Sequence, residues 1–509
     1  MFGRKSNFIN GDWVEGEGEI ININPSDTND IIDSNSNATS DQLNDAINAA
    51  QIAQTKWEDV GIEKKANILH NIGSELINQS KEIGTLLSRE EGKTLPEGIG
   101  EVVRSGQQFQ YYAASALRQF GENIASTREG VSVELTREPI GVCGIISPWN
   151  FPIAIAAWKS APAMAFGNAI VLKPASQTPA SAIALTKIIS EQKDIPEGLF
   201  NLVLGSGGTI GHQISEHKNI NAISFTGSVN VGQTIYKDAA KTMKKMQLEM
   251  GSKNPLLIMD DADLEIAVTC ATNGAYGGTG QKCTASSRLI VHEKVYKEFI
   301  ERLIKSISAL KVGHALKEGS QMGPVSSESQ LKSNLDYVKK GKNEANLVYG
   351  GNLINLDTPG YFMEPTLFID GDNKSTINQE EMFGPIACVI PVKSYEEGLE
   401  VANDTIFGLS SGIITQSLSM AADFKKNIKT GVTTVNLPTA GLDYHVPFGG
   451  RKASSFGPRE QGTYAHEFFT QVKTISCHRV FFTKSQKRML FWTSFFIYID
   501  RYTRRIMFF

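Results

Sequence analysis

A chain of 509 residues is too long for one ordinary hydrophobic core and is expected to fold as two or three lobes of one enzyme-sized body. Its hydrophobic share of 41%, charged share of 20% and formal net charge of −4 exclude a general electrostatic affinity for nucleic acid, while small anionic substrates stay within reach of local charge. The five cysteines, Cys143, Cys270, Cys283, Cys388 and Cys477, are widely spaced and form no CxxC pair, which argues against a disulfide framework and a structural zinc site and for a reducing, cytoplasmic compartment.

The N-terminal stretch MFGRKSNFINGDWVEGEGEI is polar and lacks the apolar centre of a secretion signal, and no segment is long enough to span a bilayer. From about Ser40 to Ala116 apolar residues recur at three- and four-residue spacing, which predicts surface-packing helices with Ser40 or Asp41 as the first N-cap. Between Asn123 and Ile146 the texture changes to strand-like alternation in VSVELTREPIGVCGIIS. From there to about Gly251 strand-like runs (VCGIIS, NAIVLKPA, FNLVLG, AISFTG) alternate with helix-like ones, predicting a parallel sheet covered by helices, a dinucleotide-binding type of architecture. A second α/β series opens at NPLLIM and runs through SSRLIVH, PIACVIPV and TTVNLP. Two α/β lobes therefore follow one another.

Within the second series, YGGTGQKCTASSRLIV places Cys283 between a glycine-rich approach and a β-branched run. A lone cysteine is by default a small inert hydrophobe, and Cys143, Cys270 and Cys388 in their apolar runs read that way. Cys283 differs because a glycine-rich loop leading into a strand can expose and position a thiolate. A thiol nucleophile also needs a base and an oxyanion donor. QLEMGSKNP offers Glu249 in an apolar stretch where burial would raise its pKa, and ISPWNFP offers the amide of Asn150 between Pro148 and Pro152. Singly, Glu249 reads equally well as a helix-end carboxylate and Asn150 as a turn former. Of the glycine patterns, GSGGTIG lacks strict dinucleotide spacing, whereas FTGSVNVG reads as a strand, a Gly-Ser turn and a helix start that suit a pyrophosphate.

Taken together and in order, ISPWNFP, LKPASQTP, SFTGSVNVG, LEMGSKNP, TGQKCTASSR, EEMFGP and PFGGRKASSFG resemble the motif series of the NAD(P)-dependent aldehyde dehydrogenase superfamily, over about residues 8 to 476. Within it, KPASQTP, GQKCTASSR and VNLPTAGLDYHVPFGGRKASSFGPREQG most resemble the α-ketoglutaric semialdehyde (2,5-dioxovalerate) dehydrogenases. The resemblance implies two Rossmann-type α/β lobes with a small β oligomerisation element: residues 1–122 and 144–250 for the dinucleotide, 251–456 for catalysis, and 123–143 with 457–477 for assembly into a homodimer or homotetramer. It implies Cys283 as the nucleophile that forms a thiohemiacetal and then a thioester, Asn150 with the Cys283 N–H as the oxyanion site, and Glu249 as the base for hydrolysis. It implies that NAD or NADP meets Ser228 with Gly227 and Gly232 at the pyrophosphate, Lys173 at the adenosine ribose, Glu381 at the nicotinamide ribose, and Phe383 and Trp149 beside the ring.

Many NAD-preferring relatives carry a glutamate where this chain has Ser176, so NADP is expected to be accepted. A dicarboxylate semialdehyde needs a cation, for which Lys282, Arg104 and His445 are candidates, and Ile155, Trp158 and Leu442 are expected to line the channel. Succinate or glutarate semialdehyde is the alternative substrate. A catalytically weak binding protein on the same fold is the alternative of another class. No ligand cluster suggests a metal.

Three departures from the family pattern are expected to bear on activity: Ser252 where a second glycine is usual, which adds a Cβ where positive φ is anticipated; Gly277 and Gly278 where bulkier residues stand, which would widen or loosen that wall; and Ala453 where glycine is frequent. Residues 478–509 leave the pattern altogether, with seven Lys or Arg against one Asp and many aromatics. The tail is read as a terminus of frameshifted or read-through character, the other reading being a membrane-surface segment.

Overall fold

The strand segments VCGII, AIVLK and AISFT are mostly apolar and wholly or almost wholly buried, as parallel strands covered by helices on both faces must be. The computed structural model describes residues 3–118 and 121–478; of the atypical tail, all but His478 lies outside the described residues. These strands are the centre of an eight-stranded sheet in the order Ser455–Phe456, Lys245–Glu249, Ala222–Thr226, Val142–Ile146, Ala169–Lys173, Phe200–Leu202, Asn7–Ile9, Asp12–Val14. Its five inner strands pair in parallel, and the outer ones are antiparallel.

The second sheet has seven strands in the order Asn346–Tyr349, Thr366–Ile369, Ile386–Val392, Arg288–His292, Pro255–Ile258, Ser410–Ile414, Val432–Val435, all parallel except the first pair. The two α/β series read from the sequence are these two sheets. Residues 121–138 with 471–478 belong to a separate small unit, a three-stranded sheet in the order Thr470–His478, Val131–Pro139, Gly121–Ala125. The strand Gly121–Ala125 is exposed along its whole length.

The helical stretch resolves into Ser40–Glu58, Ile62–Asn78, Ser80–Glu91 and Leu95–Ala116. Its first cap is Thr39, not Ser40 or Asp41. Thr39 is extended, its Oγ1 accepts from Gln42 N at 3.1 Å, and Gln42 Oε1 accepts from Thr39 N at 3.0 Å. The reciprocal pair satisfies two donors at the helix start and requires a glutamine three residues on, so it fixes the boundary one residue earlier than either expected cap. The helix Leu95–Ala116 matters most for function, because it packs on Ala154–Ala165 and presents Glu97, Glu101 and Arg104 along one side. No helix among the described residues is long and apolar enough to cross a membrane.

Thr39→Ala removes one arm of the capping box and is expected to lower stability by about 1 kcal/mol. The check is a fall in the urea midpoint at an unchanged slope.

Candidate active site

Cys283 lies on the loop between the helix Leu264–Tyr276 and the strand Arg288–His292. Its carbonyl accepts from Asn254 Nδ2 at 2.7 Å and from the Ser252 hydroxyl, and the same Asn254 amide reaches Ala285 O at 2.9 Å. Asn254 Oδ1 in turn accepts from Ser410 N at 2.9 Å. One side chain thus ties the Cys283 loop to the entry of a neighbouring strand. Ser252 is not in the left-handed region, so its Cβ brings no backbone strain of the kind expected from sequence. Its hydroxyl instead supplies a further anchor for the Cys283 peptide.

Asn150 follows the strand Val142–Ile146 and is buried. Its Nδ2 donates to Gln281 O at 3.0 Å, which holds the amide against the Cys283 loop and leaves a second N–H. Its carbonyl accepts from Lys93 Nζ at 2.8 Å. Lys93 is buried, pairs with Glu101 Oε2 at 2.6 Å and stands over the Phe151 ring at 4.1 Å. Glu101 Oε1 takes the N–H groups of Ile153 and Ala154 at 3.2 and 3.1 Å, capping the helix that follows. The sequence reading missed this pair, whose signal was a lysine and a glutamate flanking the start of an apolar helix.

Glu249 ends the strand Lys245–Glu249 and accepts from the Ser455 hydroxyl. Burial, with repulsion from Glu460 added, holds its carboxyl well above the usual carboxylate range. Glu460 is paired with Lys159, whose Nζ also reaches Ser224 Oγ at 2.7 Å. This pair too went unread, although a lysine inside AIAAWKSAPA is a signal for a buried partner. Burial and the charges of Glu381, Glu249 and Glu460 push the Cys283 thiol far above its ordinary value.

Cys283 and Asn150 line a cavity of about 320 Å³ whose wall includes Trp158, Arg104, Lys282 and Leu442. Ile155 is fully buried in its helix and does not reach the cavity, because the helix turns it into the core. His445 is exposed, and its ring meets Tyr444 edge-on and Tyr111 at a tilt, with centroids 5.5 and 6.5 Å apart; it does not line the cavity.

The remaining sequence candidates gather at the carboxyl ends of the first sheet, where open α/β sheets bind ligands. Ser228 caps the helix Val229–Ala240 after the strand Ala222–Thr226, with Gly227 before it and Gly232 a turn later. Lys173 ends its own strand, is buried, and has its Nζ on Pro174 O at 2.8 Å; burial lowers its pKa to about 8. Ser176 donates to Gly205 O at 3.2 Å. Trp149 and Phe383 meet edge to face at 5.3 Å. Glu381 accepts from Ser252 N at 2.8 Å, and burial raises its pKa to about 7. The hydroxyls of Ser147 and Thr226, at the ends of adjacent strands, are buried without a partner. Ala453 lies in a short turn, where its N–H donates to Ile406 O at 3.0 Å.

Residues 13–475 match the aldehyde dehydrogenase family. The chain is 42% identical to the α-ketoglutaric semialdehyde dehydrogenase of Bacillus subtilis over 92% of this chain and 97% of that one. It is 38% identical to the 2,5-dioxopentanoate dehydrogenase of Saccharolobus solfataricus over 91% and 97% of the two chains. Among solved structures, the betaine aldehyde dehydrogenase of Staphylococcus aureus in complex with NAD+ superposes with a TM-score of 0.91 at 32% identity, covering 94% of this chain and 96% of that one.

With its thiol raised, Cys283 is expected to be alkylated slowly by iodoacetamide in the cofactor-free protein, at a rate still climbing above about pH 10, beyond the range of an ordinary thiol. Thiolate is the reacting form, so a raised pKa moves the rise to higher pH. A Cys283→Ser control removes the contribution of the exposed Cys477, and a plateau below about pH 8 would contradict the assignment.

Proposed function

The chain belongs to the aldehyde dehydrogenase family, and from that premise we propose that it oxidises α-ketoglutaric semialdehyde to 2-oxoglutarate with NAD(P)+. The observation that carries the reading is the meeting of the Cys283 thiol and the Asn150 amide at one cavity, with the Glu249 carboxyl near enough to raise the thiol. The names of the relatives supply the substrate.

In this reading Cys283 Sγ, as thiolate, adds to the aldehyde carbon and gives a thiohemiacetal. The oxygen that gains charge is met by the free N–H of Asn150 and by the Cys283 N–H, whose carbonyl partner Asn254 keeps the loop from shifting. The step from thiohemiacetal to Cys283 thioester is the chemistry that NAD(P)+ supplies when bound, by accepting a hydride. Glu249, ionised, then takes a proton from the water that attacks the thioester, and the Cys283 thiolate leaves. The strong burial of Glu249 makes it a base whose ionised fraction grows with pH over a range well above that of an ordinary carboxylate.

The strand ends fit the dinucleotide. Two buried hydroxyls, Ser147 and Thr226, await partners there, and Lys173 has only a main-chain oxygen. Ser228 with Gly227 and Gly232 would hold the pyrophosphate at a helix start, Lys173 and Ser176 the adenosine ribose, and Glu381 the nicotinamide ribose, with Phe383 and Trp149 as walls. Ser176 offers a hydroxyl and no negative charge, so a 2′-phosphate is not repelled. Assembly into dimers or tetramers would supply a partner for the exposed strand Gly121–Ala125.

NAD(P)H formation should be faster with α-ketoglutaric semialdehyde than with succinate or glutarate semialdehyde, and should vanish in Cys283→Ala. A neutral aldehyde outpacing all three would overturn the semialdehyde reading. In the wild type, NADP should support a kcat/KM within about a hundredfold of that with NAD, and Ser176→Glu should raise the NADP KM by about thirtyfold or more through like-charge repulsion. An unchanged KM would remove Ser176 from the ribose site.

A further inference from the structure

The Gly277–Gly278 departure has a tenant. The helix Leu264–Tyr276 runs into Gly277, and Gly278 and Thr279 then adopt φ of 59° and 57° before the loop reaches Gln281, Lys282 and Cys283. A Cβ at position 277 would stand 2.9 Å from Lys282 Nζ, and one at 278 would stand 2.6 Å from Lys282 Cε. The volume left by the two absent side chains is therefore filled by the stem and ammonium of Lys282. The wall is occupied, which corrects the expectation that it would be wider or looser.

The ammonium so seated lines the cavity directly beside the nucleophile in sequence. The neighbouring charged side chains Lys93, Arg104 and Glu97 each have a partner. Lys93 is paired with Glu101 and bonded to Asn150 O. Arg104 donates an Nη2 hydrogen to Leu442 O. Glu97, whose Oε1 is 3.7 Å from the position of a Cβ on Gly278, has its Oε2 accepting from Thr94 N and Oγ1 at 3.1 and 2.8 Å. Among the described residues the Lys282 ammonium has neither a hydrogen-bond nor an ion-pair partner, while the carbonyl of the residue accepts from Ala285 N at 3.0 Å. Burial disfavours its charge and the field of Glu97 favours it. A half-buried cation without a partner on the wall of this cavity gains most from an anion that arrives with the substrate.

We propose that Lys282, held in the cavity by the Gly277–Gly278 gap, binds the carboxylate of the substrate and sets the preference for anionic over neutral aldehydes. The proposal rests on the semialdehyde reading and names the residue that enforces it. The glycines act by omission: with bulkier side chains at 277 and 278 the same lysine would be driven from this seat.

The test uses the full chain with NADP and compares kcat/KM for α-ketoglutaric and succinate semialdehydes with that for pentanal and butanal, neutral aldehydes of matching length. In Lys282→Met the ratio of carboxylate to neutral substrate should fall by about thirtyfold or more, mostly through KM. Lys282→Arg should restore part of it. Gly277→Ala, which leaves the charge and displaces its seat, should lower the ratio by about threefold to tenfold. A ratio unchanged in Lys282→Met, or a loss shared equally by both substrate classes, would overturn the proposal, the latter showing that Lys282 only supports the neighbouring thiol. A wild type without preference for the carboxylate aldehydes defeats the semialdehyde reading itself, and the proposal with it. Should Lys282→Met fail to fold by circular dichroism, the Arg and Gly277→Ala ratios decide.

Discussion

The chemistry depends on a thiol loop that cannot drift, and the Asn254 side chain is what holds it. Its amide donates to the carbonyls of Cys283 and Ala285, and its oxygen accepts from Ser410 N. Asn254 stands directly before the strand Pro255–Ile258, Ala285 precedes Arg288–His292, and Ser410 opens Ser410–Ile414, so one buried side chain ties together the amino ends of three adjacent parallel strands. The partners of Cys283 come from the other sheet. Asn150 follows the carboxyl end of one of its strands and Glu249 ends another. A cavity at such a meeting of strand ends brings together groups that are far apart in sequence while each rides on a rigid element.

The same burial that fixes the groups also sets their protonation. Desolvation disfavours charge on Cys283, Glu249, Glu381, Lys173 and Lys282 alike, and for each it is the largest influence. Two buried pairs bring opposite charges together: Lys93 Nζ lies 2.6 Å from Glu101 Oε2, and Lys159 Nζ meets Glu460 Oε1. Buried pairs of this kind add little net stability, and each earns its place by what it holds. The first braces the Asn150 turn from below and caps its helix. The second places a carboxylate beside Glu249 and so contributes to the high pKa of that base.

Much of this was legible in the sequence because it is local. Continuous apolar runs marked the buried parallel strands, and Cys283, Glu249 and Asn150 each stand in a short motif with a chemical reason. What was not legible is long-range. Lys159 and Glu460 are 301 residues apart, and no periodicity couples them. The engagement of His445 with aromatic rings, the inward turn of Ile155 and the tenant of the Gly277–Gly278 gap all require knowing which side chain arrives from elsewhere. Even the first helix cap turned on one glutamine, since Thr39 prevails over Ser40 and Asp41 through the reciprocal bond from Gln42.

The departures from the family pattern show the same logic at closer range. A serine in place of glycine at 252 adds a hydroxymethyl group within a crowded loop, and its Oγ donates to Cys283 O; the backbone N–H, which a glycine would also carry, donates to Glu381 Oε1 at 2.8 Å. Ser252 therefore bonds both the Glu381 carboxylate proposed for the nicotinamide ribose and the peptide of Cys283, the proposed nucleophile. Two missing side chains at 277 and 278 are likewise matched by one long one at 282. A change that would strain or hollow the site in isolation is absorbed by a neighbour no more than 31 residues away in sequence, and in both cases the absorbing contact touches either the nucleophile's own peptide or the residue beside it. The substitutions thus alter how the thiol is held and what faces it, while leaving Cys283, Glu249 and Asn150 in place.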